Sequence, residues 1–185
     1  MSSISPDDGM LWQARAAPAA TTAMEAFTAR ARAASGLPLP DYAALHSWSV
    51  DMPEVFWRTV WAFCGVLGDI GERTLVDGDR MPGARWFPDA RLNFAENLLR
   101  NSDNPEAIVF RGEDKLEQRL NRTELRAEVA RFAAALRNAG VEPGDRVAAL
   151  MPNMPATLVA MLAAASIGAV FTSASPDFGV QGVLD

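Results

Sequence analysis

This chain is short of the side chains on which most catalytic chemistry runs. Its 185 residues include one cysteine, Cys64, one histidine, His46, and one lysine, Lys115, beside sixteen arginines. A single cysteine excludes an internal disulfide and a multi-cysteine zinc site. Cys64 falls in an apolar stretch and is expected to be a buried small hydrophobe. His46 has no carboxylate or cysteine at ligand spacing and reads as a packed, hydrogen-bonded histidine. Neither G-x-x-x-x-G-K nor a Ser/Thr/Gly-rich phosphate loop occurs. No apolar run approaches the roughly 18 residues of a membrane-spanning helix, residues 158–170 coming nearest. The start, MSSISPDDGMLW, has no basic region ahead of an apolar run, so no signal peptide is read and a cytoplasmic protein is expected. Net charge is −6, which argues against phosphate-held nucleic acid and a basic membrane-surface helix. An anionic small molecule remains open, since local arginines or a helix N-terminus can hold one.

What is present points to a globular α/β chain. Hydrophobic residues make up 49% against 22% charged, the balance of a chain that folds. The length suits one domain, or a small domain plus part of another. The most informative stretch is residues 139–176, AGVEPGDRVAALMPNMPATLVAMLAAASIGAVFTSASP. Gly140 and Pro143-Gly144 punctuate its entry. Residues 146–151 (RVAALM) form a short apolar run bounded by turn residues, a buried strand. Pro152 stops it, Asn153 is placed to cap a helix, and Pro155 suits the first turn. Leu158, Met161, Leu162 and Ala165 share a helical face, and Gly168 ends the helix before a second strand at 169–173. Strand, helix and strand with short links predict a right-handed parallel βαβ unit.

Upstream, Thr22 and Glu25 have capping-box spacing for a helix over residues 23–34, which Gly36 breaks. Asp41 is placed to cap a short helix over 42–48. In the helix from Pro53, Phe56, Val60 and Phe63 make one apolar stripe, and Trp57, Trp61 and Cys64 another beside it, so most of its surface is expected to be buried. Trp48, Trp57 and Trp61 suit a ligand cage or, by default, packing between helices. Residues 74–76 read as a short strand before an Asp77-Gly78 turn. Residues 92–99 (LNFAENLL) read as a helix whose leucines and phenylalanine face one way. Residues 107–111 and 116–120 flank a four-residue turn containing Lys115 and predict a hairpin, with Lys115 a solvated turn residue. Asn121 and Glu124 then cap a helix carrying Leu125, Val129, Phe132 and Leu136.

Several motifs in order carry a resemblance. The segment GVEPGDRVAALMPNMPATLVAMLAAASIGAVFTSASP is similar to an early part of the adenylate-forming enzymes. Tyr42, Leu45, His46, Trp48, Ser49, Val50, Pro53, Glu54, Phe56 and Trp57, followed by Trp86, Phe87, Pro88, Ala90, Leu92 and Asn93, resemble the acetyl-CoA synthetase group of short-chain acyl-CoA synthetases. LNFAENLL and SPDFGVQGVLD narrow this toward the acetoacetate–CoA ligases, because acetate-specific members have a Gly-Gly-Phe turn where Pro176-Asp177-Phe178 stands. The resemblance implies a helical N-terminal extension over residues 1–104, followed over 105–185 by the first hairpin, helix and βαβ unit of an AMP-binding domain. It implies a full-length reaction on acetoacetate with ATP, Mg²⁺ and coenzyme A. The ATP site and the catalytic lysine of such enzymes have no counterpart among these residues. It offers one candidate site, Ser175, Pro176, Asp177, Phe178 and Gly179, just beyond a parallel strand and, in the related enzymes, near the pantetheine arm of coenzyme A. A plain strand-to-helix turn capped by Asp177 is the alternative. The chain is expected to be inactive alone and to end mid-domain. Its uncovered sheet is expected to self-associate, with Val147, Leu158, Met161, Leu162 and Phe171 near the exposed surface. A non-catalytic interaction module and a piece of an acetate or propionate ligase remain as other readings.

Overall fold

Thr22 opens the part of the chain described by a computed structural model, which covers residues 22–100, 106–113 and 116–184. Leu11, Trp12, the loop 101–105, Lys115 and Asp185 lie outside it. Contacts gather the described residues into two units, one up to Val66 together with Glu72–Pro88, the other Leu67–Gly71 together with those from Asp89 onward.

The first unit is helical. Its elements are α1 (Ala23–Ser35), α2 (Tyr42–Asp51) and α3 (Pro53–Phe63), then β1 (Leu75–Val76) paired antiparallel with β2 (Arg85–Trp86). The expected capping box starts α1: Thr22 Oγ1 accepts from the Glu25 N–H at 3.3 Å, and the Glu25 carboxylate accepts from the Thr22 N–H at 3.4 Å. Gly36, at φ 71°, ends it. Asp41 caps α2 by accepting from the Ala44 N–H at 2.8 Å. Phe27, Ala31, Leu39, Leu45 and Trp48 form the core, with Phe56 and Val60 packed on it. The rings meet edge to face, Phe27 with Phe56 at 5.9 Å and Trp48 with Phe56 at 5.7 Å.

Three expectations fail here. Most of α3 is not buried: Thr59 is its one buried residue, and Trp57 is 43% exposed. Two short helices and a two-residue ribbon have too little surface to cover both stripes. Trp57 meets Trp86 at 5.9 Å and Trp61 meets Phe87 at 5.4 Å, so these tryptophans pack in pairs while Trp48 sits in the core. Cys64 is exposed, because it caps the C-terminus of α3 where the helix runs out of neighbours. His46 is exposed too; Leu45 and Trp48 take the inward face of α2, and the imidazole lies outside beside Tyr42 at 6.4 Å.

The second unit is α/β. After α4 (Phe94–Leu99) come the hairpin strands β3 (Glu106–Arg111) and β4 (Glu117–Asn121), α5 (Arg122–Asn138), β5 (Arg146–Leu150), α6 (Pro155–Ser166), β6 (Val170–Ala174), a 3-10 turn (Pro176–Phe178) and α7 (Gly179–Leu184). β3 and β4 pair antiparallel. β5 and β6 pair parallel through the α6 crossover, from Arg146 opposite Val170 to Leu150 opposite Ala174. The expected capping box of α5 is present: Asn121 Oδ1 accepts from the Glu124 N–H at 2.9 Å, and the Glu124 carboxylate accepts from the Asn121 N–H at 2.8 Å.

Where α5 and α6 meet, Leu125, Val129 and Ala133 share a core with Leu162, Ala163, Ala164 and Ala95. Leu162 is therefore fully buried and not at the surface, while Val147, Leu158, Met161 and Phe171 are half-buried. Asn153 does not cap α6. Met154 takes the N-cap position without a side-chain bond, and Thr157 Oγ1 donates to the Pro152 carbonyl at 2.7 Å. In α4 the inward face is Ala95 with Leu99, and Phe94 and Leu98 point outward. Asn93 both caps α4 and clamps it: its Oδ1 accepts from the Glu96 N–H at 3.1 Å, while its Nδ2 donates to the Ala165 carbonyl at 3.0 Å.

Candidate functional site

β6 delivers the candidate loop. Its last residue, Ala174, is followed by Ser175 in extended conformation, then the 3-10 turn, and Gly179 at φ 63° leads into α7. Such a positive φ favours glycine. Ser175 caps the 3-10 turn. Ser175 Oγ accepts from the Asp177 N–H at 3.4 Å and donates to Asp177 Oδ2 at 2.9 Å. The Phe178 N–H donates to the Ser175 carbonyl at 3.2 Å.

This geometry limits what the loop can hold. Pro176 has no N–H, and the next two N–H groups are used inside the turn. Asp177 adds a negative charge. The turn is therefore a poor cradle for phosphate, and the chemistry it offers is apolar: the Phe178 ring is 62% exposed. Among the described residues no three His, Cys, Asp or Glu side chains come together to hold a metal ion.

Two other features of the second unit were not foreseen in the sequence. On the hairpin, Arg119 lies 2.6 Å from Glu106 and 2.8 Å from Glu117, and its hydrogen bonds to Glu106 and then Glu117 raise its pKa. Alternation along two exposed strands could have signalled that cluster, in which charges are paired and none is poised for catalysis. An open groove of about 490 Å³ runs between β4, α5 and the start of α6, lined by Leu120, Phe132, Met151, Met154 and Val159 with Glu128 and Arg131. Phe132, on the apolar stripe of α5 between Val129 and Leu136, is partly exposed and lines this groove.

With the fold in view, the sequence relationships are specific. Residues 42–98 match the family described as acetyl-coenzyme A synthetase N-terminus, and residues 94–184 match the AMP-binding enzyme family. The two matches overlap within α4. An acetoacetyl-coenzyme A synthetase of Rhizobium meliloti is 59% identical over 150 residues, covering 81% of this chain and 23% of that protein. An acetoacetyl-CoA synthetase of Macaca fascicularis is 45% identical over 168 residues, 89% of this chain and 25% of that one. The solved acetoacetyl-CoA synthetase from Streptomyces lividans superimposes at a TM-score of 0.81 with 42% identity, over 90% of this chain and 26% of the other.

Over its matched residues the chain is homologous to the N-terminal portion of acetoacetyl-CoA synthetases. It spans about a quarter of the length of the relatives it matches. The superposition also bears out the expected fold class, a helical N-terminal region followed by the first hairpin, helix and parallel βαβ unit of the family's α/β domain. Among the described residues no helix is long and apolar enough to cross a membrane.

Proposed function

We propose that this chain supplies the opening quarter of an ATP-dependent acetoacetate–CoA ligase that works in the cytoplasm. In that reaction an acetoacetate carboxylate oxygen attacks the α-phosphorus of ATP and pyrophosphate leaves. The coenzyme A thiol, losing its proton, then attacks the acyl carbon and AMP leaves. The observation that carries this reading is the 59% identity to a bacterial acetoacetyl-coenzyme A synthetase. On this reading the chain's own residues are framework, and ATP and Mg²⁺ bind to other parts of a family-length protein. Ser175 to Gly179 form the one candidate contact with coenzyme A. With the turn's N–H groups occupied, Phe178 would lie against the apolar part of the pantetheine arm.

A chimera tests it. This chain replaces the matched segment of the Rhizobium meliloti protein, and thioester formation is followed with acetoacetate, acetate and propionate. Acetoacetate is expected to be the preferred acid. A folded chimera that turns over acetate or propionate better, where the parent prefers acetoacetate, would sink the proposal. In the same chimera Phe178→Ala is expected to raise KM for coenzyme A several-fold and leave acetoacetate-dependent ATP–pyrophosphate exchange unchanged. An unchanged KM would remove the loop from the coenzyme A site.

A further inference from the structure

The arginines in and around α5 fall into two sets. Arg131 pairs with Glu128, and on the hairpin Arg119 pairs with Glu106 and Glu117. Arg126 and Arg137 have no carboxylate. Arg126 Nε donates to the Leu99 carbonyl at 2.6 Å, which anchors that guanidinium at the end of α4. Among the described residues its two terminal nitrogens and the whole Arg137 guanidinium make no further hydrogen bond or ion pair. Both side chains line an open groove of about 690 Å³, together with Arg100 from the end of α4 and with Ala130 and Ala133 between them on α5. One carboxylate, Glu96, lines it too. In a chain of net charge −6, three guanidiniums around one carboxylate run against the overall balance. Arg137 stands in the last turn of α5, where the helix dipole favours a cation. The dipole accounts for that one charge. It leaves three like charges in one groove, which repel until an anion enters.

We propose that this groove binds a diphosphate anion, with Arg126 and Arg137 as its ligands. Guanidinium forks match phosphate oxygens in pairs, so the residue type suits phosphate. The spacing selects a diphosphate. Residues 126 and 137 lie about 16 Å apart along the helix axis, and side chains converging from both ends suit an elongated anion charged at both ends better than a compact one. The small side chains of Ala130 and Ala133 leave room for it between them. Glu96 sets a limit on affinity, because its carboxylate repels the ligand. Free pyrophosphate and a nucleoside diphosphate share the chemistry this groove recognises. The inference rests on the second unit alone and not on the ligase reading.

Equilibrium dialysis of the chain against labelled pyrophosphate, at constant ionic strength, tests it without reference to activity. Arg137 and Glu96 are exposed, so changing either leaves the core intact. Arg137→Gln is expected to weaken binding about tenfold, the loss of one charge-assisted contact. Glu96→Gln is expected to tighten it about twofold to threefold by removing the repelling carboxylate, a gain that a merely structural role would not produce. No retention of pyrophosphate, or retention that both variants leave unchanged, would overturn the proposal. Malonate competing as well as unlabelled pyrophosphate would also overturn it, since two carboxylates would then suffice. ADP is the second competitor. Stronger competition than pyrophosphate assigns the groove to a nucleoside diphosphate, and weaker competition assigns it to the free anion.

Discussion

In the first unit the core is made by a few large side chains: Phe27, Leu39, Leu45 and Trp48, closed by Phe56 through edge-to-face ring contacts. In the second, small ones interleave with aliphatic ones: Ala95, Ala133, Ala163, Ala164 and Ala169 beside Leu125, Val129, Leu162 and Ile167 among the described residues. The difference lies in what each unit brings together. Short helices joined by turns leave wide gaps, which large side chains, aromatic rings among them, fill. The crossover helix α6 must lie close to both α5 and its own strands, and alanine lets backbones approach. The two cores should therefore fail in opposite directions, the first when volume is removed and the second when it is added.

The largest expected effect is in the first unit. Trp48→Ala should cost about 3–5 kcal/mol, since an indole leaves a cavity that the short helices cannot close. Hydrogen exchange should show the loss in amides of α1–α3. A loss spread evenly over β5 and β6 as well would mean that the two cores are not distinct. Next, Ala163→Leu should cost about 1–3 kcal/mol by overpacking the α5–α6 contact, read as a lower midpoint in denaturant. A neutral result would show slack in the second core that the fully buried Ala163 does not suggest. Smallest is Asn93→Ala, expected to cost about 1–2 kcal/mol through loss of the α4 cap and its bond to Ala165. If amides of α4 alone open in that variant, the cap matters; if those of α6 open too, so does the clamp.

Local chemistry was legible in the sequence, and tertiary coverage was not. The Thr22–Glu25 and Asn121–Glu124 boxes, the Gly36 stop and the parallel pairing of β5 with β6 all follow from residues close in sequence. The misses share a cause. Helical spacing shows that Trp57, Phe94 and Leu98 lie on apolar stripes, but the amount of surface reaching each stripe is a property of distant elements. Cys64 and His46 were misread for the same reason: an apolar neighbourhood in sequence does not bury a residue at a helix end or on an outward face. The candidate site was legible as a position, just past β6. Its chemistry was not, because only the folded turn shows that Ser175 takes the Asp177 N–H.

The same contrast between framework and chemistry bears on function. ATP–pyrophosphate exchange driven by acetoacetate, measured side by side on the isolated chain and on the Rhizobium meliloti chimera, tests it most directly. The prediction is exchange no higher than a boiled control for the isolated chain, and exchange approaching that of the parent protein for the chimera. Exchange by the isolated chain, or a folded chimera with none, would contradict the assignment of this chain as the framework quarter of an acetoacetate–CoA ligase.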